Sequence, residues 1–356
     1  MSTSSCDVKI LSLNGGGVRG LFTINVLAEV ERIIEQKTGQ KDVKVGEYFD
    51  LITGTSIGGI LALGLAAGKS ARELEVVFRE QAPLIFPPRW SWVNKCRAAF
   101  SSRYRSQPLF DAVVGMIGTE ATFNDLDRRV MIPTVNLSTG KPQFFKTPHN
   151  PVFNRDGRIA LIDAAMATSA APTYFKPHHC TVLDAYFADG GLVANNPSFI
   201  ALHEVLRDMK NDFPNAAVSN IKILNIGTLG EEYTASPTAL EAKYNNGYFG
   251  LWGVGERLVL TTMTANQQLH KAMLERELRD YGAFDNYVYL DDTVPNEAAS
   301  DITLDNARPS SLRNLASRGK QLATNEFTKN ERLKAFFKDR AVPFKRQETD
   351  PMEQKR

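Results

Sequence analysis

Apolar residues along the chain follow two rhythms. Val8 to Leu13 is a short apolar run rich in β-formers, and it stops at Asn14 and three glycines. That pattern predicts a buried strand ending in a tight loop. From Leu21 to Glu35, the apolar residues Ile24, Leu27, Val30, Ile33 and Ile34 recur every three to four positions, which predicts an amphipathic helix. Tyr48 to Thr53 reads as a second strand. Ile57 to Ala67 is apolar almost all round and closes at Gly68-Lys69, as expected of a helix buried in the core. A further helix is predicted over 71–86. Arg128–Asn136 and Gln143–Thr147 flank Ser138-Thr139-Gly140-Lys141 and read as a hairpin. Then come a helix over 159–168, a strand over 182–188, a loop at Asp189-Gly190-Gly191, a helix over 197–209 and a strand over 221–226. Residues 237–280 are largely helical in pattern. Strands that alternate with helices predict an α/β fold whose sheet is covered on both faces.

Composition narrows this picture. The 356 residues are 43% apolar, enough for a large core. Lys and Arg number 42 against 40 Asp and Glu, a net charge of +2, so nothing calls for a nucleic-acid polymer as partner. Three cysteines without CxxC spacing argue against a disulfide framework or a zinc site. The start, Met1 to Cys6, is polar and lacks the pattern of a signal peptide. No segment approaches the ~20 apolar residues that span a bilayer. A cytoplasmic protein is expected, with any membrane contact peripheral. Residues 87–107 stand apart: Trp90 and Trp92 mix with Arg89, Lys95, Arg97, Arg103 and Arg105.

Three motifs carry chemistry. Gly54-Thr55-Ser56-Ile57-Gly58 lies between a predicted strand and helix, the setting of a nucleophile elbow. There the helix start aims its N–H groups and positive dipole end at the serine oxygen. Asn14-Gly15-Gly16-Gly17-Val18-Arg19-Gly20 also joins strand to helix. Gly15, Gly17 and Gly20 formally satisfy the dinucleotide fingerprint of a Rossmann oxidoreductase, but no acidic residue closes the following strand at the required spacing. The alternative is an oxyanion hole built from consecutive glycine N–H groups. The third motif is Asp189-Gly190-Gly191, before Asn195-Asn196-Pro197. Of five histidines, only His203 and His270 follow Asp189, and both fall in helical patterns. A Ser-His-Asp triad is therefore poorly served, and a carboxylate can act on the serine directly.

Together these motifs resemble the patatin-like phospholipases, which share a glycine-rich oxyanion loop, a GxSxG nucleophile and a DGG base. Ala167-Thr168-Ser169-Ala170-Ala171-Pro172-Thr173-Tyr174-Phe175 also resembles that family. The resemblance covers roughly residues 8–230; Asn14 departs from it, where aspartate is more usual. It implies a three-layer α/β/α sandwich with a mostly parallel sheet. Residues 1–230 would form the catalytic core, 231–345 a mainly helical part packed on it and 346–356 a charged, disordered tail. It further implies phospholipid acyl-ester hydrolysis by a Ser56–Asp189 dyad, without metal or cofactor. The oxyanion would be held by Gly15, Gly16 and Gly17, with Gly16 and Gly17 as the principal donors. Arg19 would anchor the loop or meet a phosphate.

The helical C-terminal part and Ile302-Thr303-Leu304-Asp305-Asn306-Ala307 resemble, more narrowly, the bacterial patatin phospholipases of cyclic-oligonucleotide (CBASS) antiphage defence. That resemblance implies a cyclic dinucleotide activator, action at the inner membrane and possible homo-oligomers. Segment 87–107 would then hold the nucleotide, meet anionic lipid, or simply be a solvated cap.

Overall fold

The computed structural model describes residues 7–87, 102–153, 155–230, 237–244, 247–253, 255–293 and 302–344. An eight-stranded sheet forms its centre. Its strands are β1 (Val8–Leu13), β2 (Leu51–Gly54), β3 (Arg129–Asn136), β4 (Lys141–Lys146), β5 (His178–Cys180), β6 (Ala185–Asp189), β7 (Ile221–Ile226) and β8 (Tyr287–Leu290). Around it lie α1 (Gly20–Thr38), α2 (Ile57–Ala66), α3 (Ala71–Ile85), α4 (Ser106–Ile117), α5 (Leu161–Thr168), α6 (Gly191–Ala194) and α7 (Ser198–Asp208). The C-terminal helices are α8 (Pro237–Tyr244), α9 (Gly247–Trp252), α10 (Glu256–Asp280), α11 (Pro309–Lys329) and α12 (Glu331–Phe336).

The alternation of side chains along the strands divides the core in two. Leu11 and Leu13 of β1, Val130 and Ile132 of β3, and Leu224 and Ile226 of β7 face one apolar core with α1–α5, α11 and α12. Val8, Ile10, Met131, Ile221 and Ile223 face the other, with α7 and α10. Because both faces are covered, the strands read as continuous apolar runs, and the result is the expected three-layer sandwich. β1 pairs in parallel with β2 and β7, β2 with β3, and β7 with β8. The pairs β3–β4, β3–β6 and β5–β6 are antiparallel.

One detail of β3 positions the site. β4 occupies one edge of β3 from Met131 to Asn136. β2, paired as far as Met131, and β6, paired from Thr134, must therefore share the opposite edge end to end. Their C-terminal ends point at each other across Ile132 and Pro133.

The elements differ from the sequence reading in two places. The strand expected over 182–188 is a hairpin, β5 and β6, turned at Thr181–Asp184 with Asp184 at φ 44°. Asp189 closes β6, and His178 and His179 sit in β5. β8 was not legible in the sequence; it adds a strand from the C-terminal part to the central sheet. Trp90, Trp92, Arg89, Lys95 and Arg97 lie outside the described residues, as does the tail 346–356.

Candidate active site

Ser56 stands between β2 and α2 with φ 55° and ψ −126°. A non-glycine residue reaches that left-handed region only under constraint. The constraint is close backbone approach: a Cβ on Gly54 would lie 2.1 Å from the Gly58 carbonyl oxygen, and one on Gly58 would lie 2.4 Å from the Leu13 carbonyl oxygen. The two glycines let the turn close. Ser56 then caps α2 with its hydroxyl outside the helix, and its own N–H donates to the Thr168 hydroxyl at 3.1 Å.

Asp189 arrives from the other side of the gap, fully buried. Its Oδ1 accepts the Gly191 N–H at 2.6 Å. Its Oδ2 has no hydrogen-bond partner among the described residues. The Ser56 hydroxyl faces this carboxylate closely enough to favour its charge, yet no full hydrogen bond joins them. Burial dominates the carboxyl's chemistry: desolvation pushes its pKa up to about 7, against the smaller pull of the Gly191 N–H and the Ser56 hydroxyl. A base with a pKa near neutrality is well matched to proton transfer in neutral solution.

The glycine loop comes third. Gly15 lines the cavity, but its N–H donates to the Asn195 carbonyl at 3.0 Å. This corrects its expected place as an oxyanion donor, because an N–H already bonded inside the protein has nothing left to offer a substrate. Gly16 and Gly17 N–H groups donate to no partner among the described residues. Gly17 has φ +56°, and a Cβ there would lie 2.2 Å from the Leu304 carbonyl oxygen. That same carbonyl accepts the Val18 N–H at 2.8 Å. Leu304, from the C-terminal segment, thus backs the loop. Thr228 does so from below, its hydroxyl donating to the Gly15 carbonyl at 3.0 Å. Arg19 also lines the cavity, and its guanidinium donates to the Leu229 carbonyl at 3.3 Å.

These groups share a cavity of about 80 Å³. Ile60, Phe78, Ile85, Phe86, Leu109 and Met263 give it an apolar wall. None of the five histidines lines it. His149 bonds Glu204, His178 bonds Asp163, His179 bonds Asp184 and His203 bonds Glu277. His270 is half-buried, and burial holds its pKa down. No cluster of metal-ligating side chains occurs among the described residues.

Residues 11–202, more than half of the chain, match the family described as "Patatin-like phospholipase". The chain belongs to the patatin-like phospholipase family. Over 345 residues it is 69% identical to a "cGAMP-activated phospholipase" of Vibrio cholerae, covering 95% of this chain and 97% of that one. It is 66% identical over 339 residues to a protein of the same description from Escherichia coli, covering 95% of each. A third of that description, from Pseudomonas aeruginosa, is 36% identical over 316 residues, covering 88% of this chain and 87% of that one.

Four contributors escaped the sequence reading: the Thr168 hydroxyl, the Asn195 carbonyl, Thr228 and Leu304. Thr168, Asn195 and Leu304 lie inside segments noted above, and Thr228 in none. A charged cluster beside the lining residues Tyr174 and Leu304 was also missed. Arg103 binds both Glu256 and Asp305, at 2.9 and 3.0 Å from its Nη1. Tyr104 donates to Asp305 at 2.8 Å and Tyr174 to Glu256 at 2.5 Å.

Proposed function

We propose that this chain hydrolyses acyl esters of membrane phospholipids through a Ser56–Asp189 dyad, and that cGAMP switches the activity on. The observation that carries the dyad is that the Ser56 hydroxyl faces a dry carboxylate, one oxygen of which is unbonded, in a cavity that no histidine lines.

In the first step the Ser56 hydroxyl proton passes to Asp189 Oδ2 as Oγ bonds to the ester carbonyl carbon. The carbonyl oxygen becomes an oxyanion held by the Gly16 and Gly17 N–H groups, each contributing roughly 3 kcal/mol. Collapse breaks the bond to the alcohol, which leaves with the proton from Asp189. Water then attacks the acyl-enzyme, gives its proton to Asp189, and the released serine oxygen recovers it. Arg19 supplies a positive charge in the cavity, suited to a lipid phosphate.

Four further observations support the rest of the reading. The relatives named above are described as cGAMP-activated. The cavity, at about 80 Å³, is well below the roughly 300–1,000 Å³ of a site that engulfs a drug-sized ligand, so a phospholipid needs it opened. No described helix is long and apolar enough to cross a membrane. Exposed Leu84, Phe110 and Leu258 adjoin the lining residues Ile85, Leu109 and Val259 in sequence, which suits peripheral contact with lipid. Action at the inner membrane in bacterial antiphage defence, and self-association on activation, complete the reading.

The test is fatty-acid release from phospholipid vesicles with and without cGAMP. Wild-type enzyme should be slow alone and fast with nucleotide, and Ser56→Ala should be inactive in both. Equal rates with and without nucleotide would remove the gating; an active Ser56→Ala would remove the dyad. Light scattering in the same samples reports self-association.

A further inference from the structure

Ser56 and Asp189 come from different strands and share no formed hydrogen bond, so something else must set their separation. The gap between the ends of β2 and β6 leaves Ile132 and Pro133 unpaired on that edge of β3. Pro133 has no N–H, and its carbonyl faces a missing rung. The fully buried Thr168 hydroxyl fills that place: it donates to the Pro133 carbonyl at 2.7 Å. Its single proton is thereby committed, which leaves a lone pair to accept the Ser56 N–H at 3.1 Å. The main chain of the same residue holds the base, since the Gly190 N–H donates to the Thr168 carbonyl at 3.2 Å. Two residues on, the Ala170 carbonyl accepts the Asp189 N–H at 3.0 Å.

We propose that Thr168 is a positioning residue that holds the nucleophile and the base in register, its hydroxyl on the Ser56 side and its carbonyl on the Asp189 side. The proposal rests on the dyad reading above. The β-branch supports it: a Cβ on Gly59 would lie 2.8 Å from Thr168 Cγ2, so the methyl packs against α2 and fixes the rotamer that aims the hydroxyl. Serine would keep both hydrogen bonds with a looser rotamer. Valine would keep the shape and strand both the Ser56 N–H and the Pro133 carbonyl.

The experiment measures kcat and KM for a soluble p-nitrophenyl ester, with cGAMP present, per folded enzyme as counted by near-UV circular dichroism. Thr168→Val should lower kcat by about 100-fold with KM within about twofold, the size expected when a reacting group is displaced by around 1 Å. Its acid limb should stay at the wild-type pH, because Asp189 remains dry. Thr168→Ser should recover kcat to within about fivefold of wild type. If the valine variant does not fold, Thr168→Ala takes its place with the same expected loss. Wild-type kcat in a folded Val or Ala variant, or a serine variant as slow as the valine one, would overturn the proposal. So would a loss that is entirely loss of folded protein. Ser56→Ala, run alongside, separates the two readings. If that variant is active, the dyad falls and the positioning role with it; if it is dead while Thr168→Val is unimpaired, only the positioning role is refuted.

Discussion

At the floor of the cavity, Ser56, Asp189 and Gly15 are tied by hydrogen bonds that use their own backbone N–H groups, to Thr168, Ala170 and Asn195. Beside it, behind the lining residues Tyr174 and Leu304, Arg103, Glu256 and Asp305 are tied by charge, each side chain brought from a distant segment. The floor bonds are buried, short in reach and independent of salt. The ion pairs join side chains about a fifth exposed and can be exchanged for water or another ion. The backbone bonds of the floor are therefore fixed, while the neighbouring ion pairs can exchange partners.

The sharpest way to break the floor is at the proposed nucleophile: Ser56→Ala should lower kcat by roughly 10⁵-fold, with only the residual turnover that the proposed oxyanion loop supplies. Asp189→Asn should follow at about 10⁴-fold, and it carries a second signature. The folded carboxyl keeps its proton up to about 7, against an ordinary value of 3.8. Its stabilising protonated form is fully present below 3.8 and is lost as pH rises through 7. The amide never ionises, so above pH 7 the variant should be more stable than wild type, by up to roughly 4 kcal/mol in chemical denaturation. Near pH 4 the gain should vanish. A dead enzyme that is also less stable at pH 8 would place Asp189 in a merely structural role.

Gly16→Ala sharpens the comparison from within the loop. The added methyl would meet Thr228 at 2.4–2.8 Å, and Thr228 holds the Gly15 carbonyl. Displacing it should turn the loop and cost about 100-fold in kcat, the loss of one oxyanion donor. The charged cluster should respond differently. Arg103→Ala leaves Glu256 and Asp305 facing each other without a cation. It should cost roughly 2 kcal/mol of stability, less than a fully buried pair because these groups are partly exposed, and should leave the acid limb of kcat in place. A shift of that limb would show that the floor and the charged cluster are not separate.

The same division explains what the sequence made legible. The floor is a backbone structure, and backbone demands write themselves as glycine: Gly54 and Gly58 around Ser56, Gly15 to Gly17 before α1, Gly190 and Gly191 after Asp189. The fold class followed from apolar runs whose two faces are both buried. Long-range partners left no local pattern. Nothing in the run containing Arg103 points to Glu256 or Asp305, and Leu304 acts through a main-chain carbonyl that any residue could supply. β8 is only four residues long. The hairpin β5–β6 hid its turn in Thr181–Asp184, where an aspartate rather than a glycine takes the left-handed conformation. Gly15 was misassigned because three successive glycines offer three N–H groups, and only the fold shows that one is taken by Asn195.

The most direct test of the dyad is the pH dependence of kcat on a soluble ester, measured at two temperatures. Burial places the Asp189 pKa at about 7, where a histidine base would also titrate, so the position of the limb does not separate them. Temperature does, because a carboxyl ionises with almost no enthalpy and an imidazole with a large one. The account expects an acid limb near pH 7 that stays where it is on warming and is absent from the residual activity of Asp189→Asn. A limb that moves to lower pH on warming, or one that persists in Asp189→Asn, would contradict it.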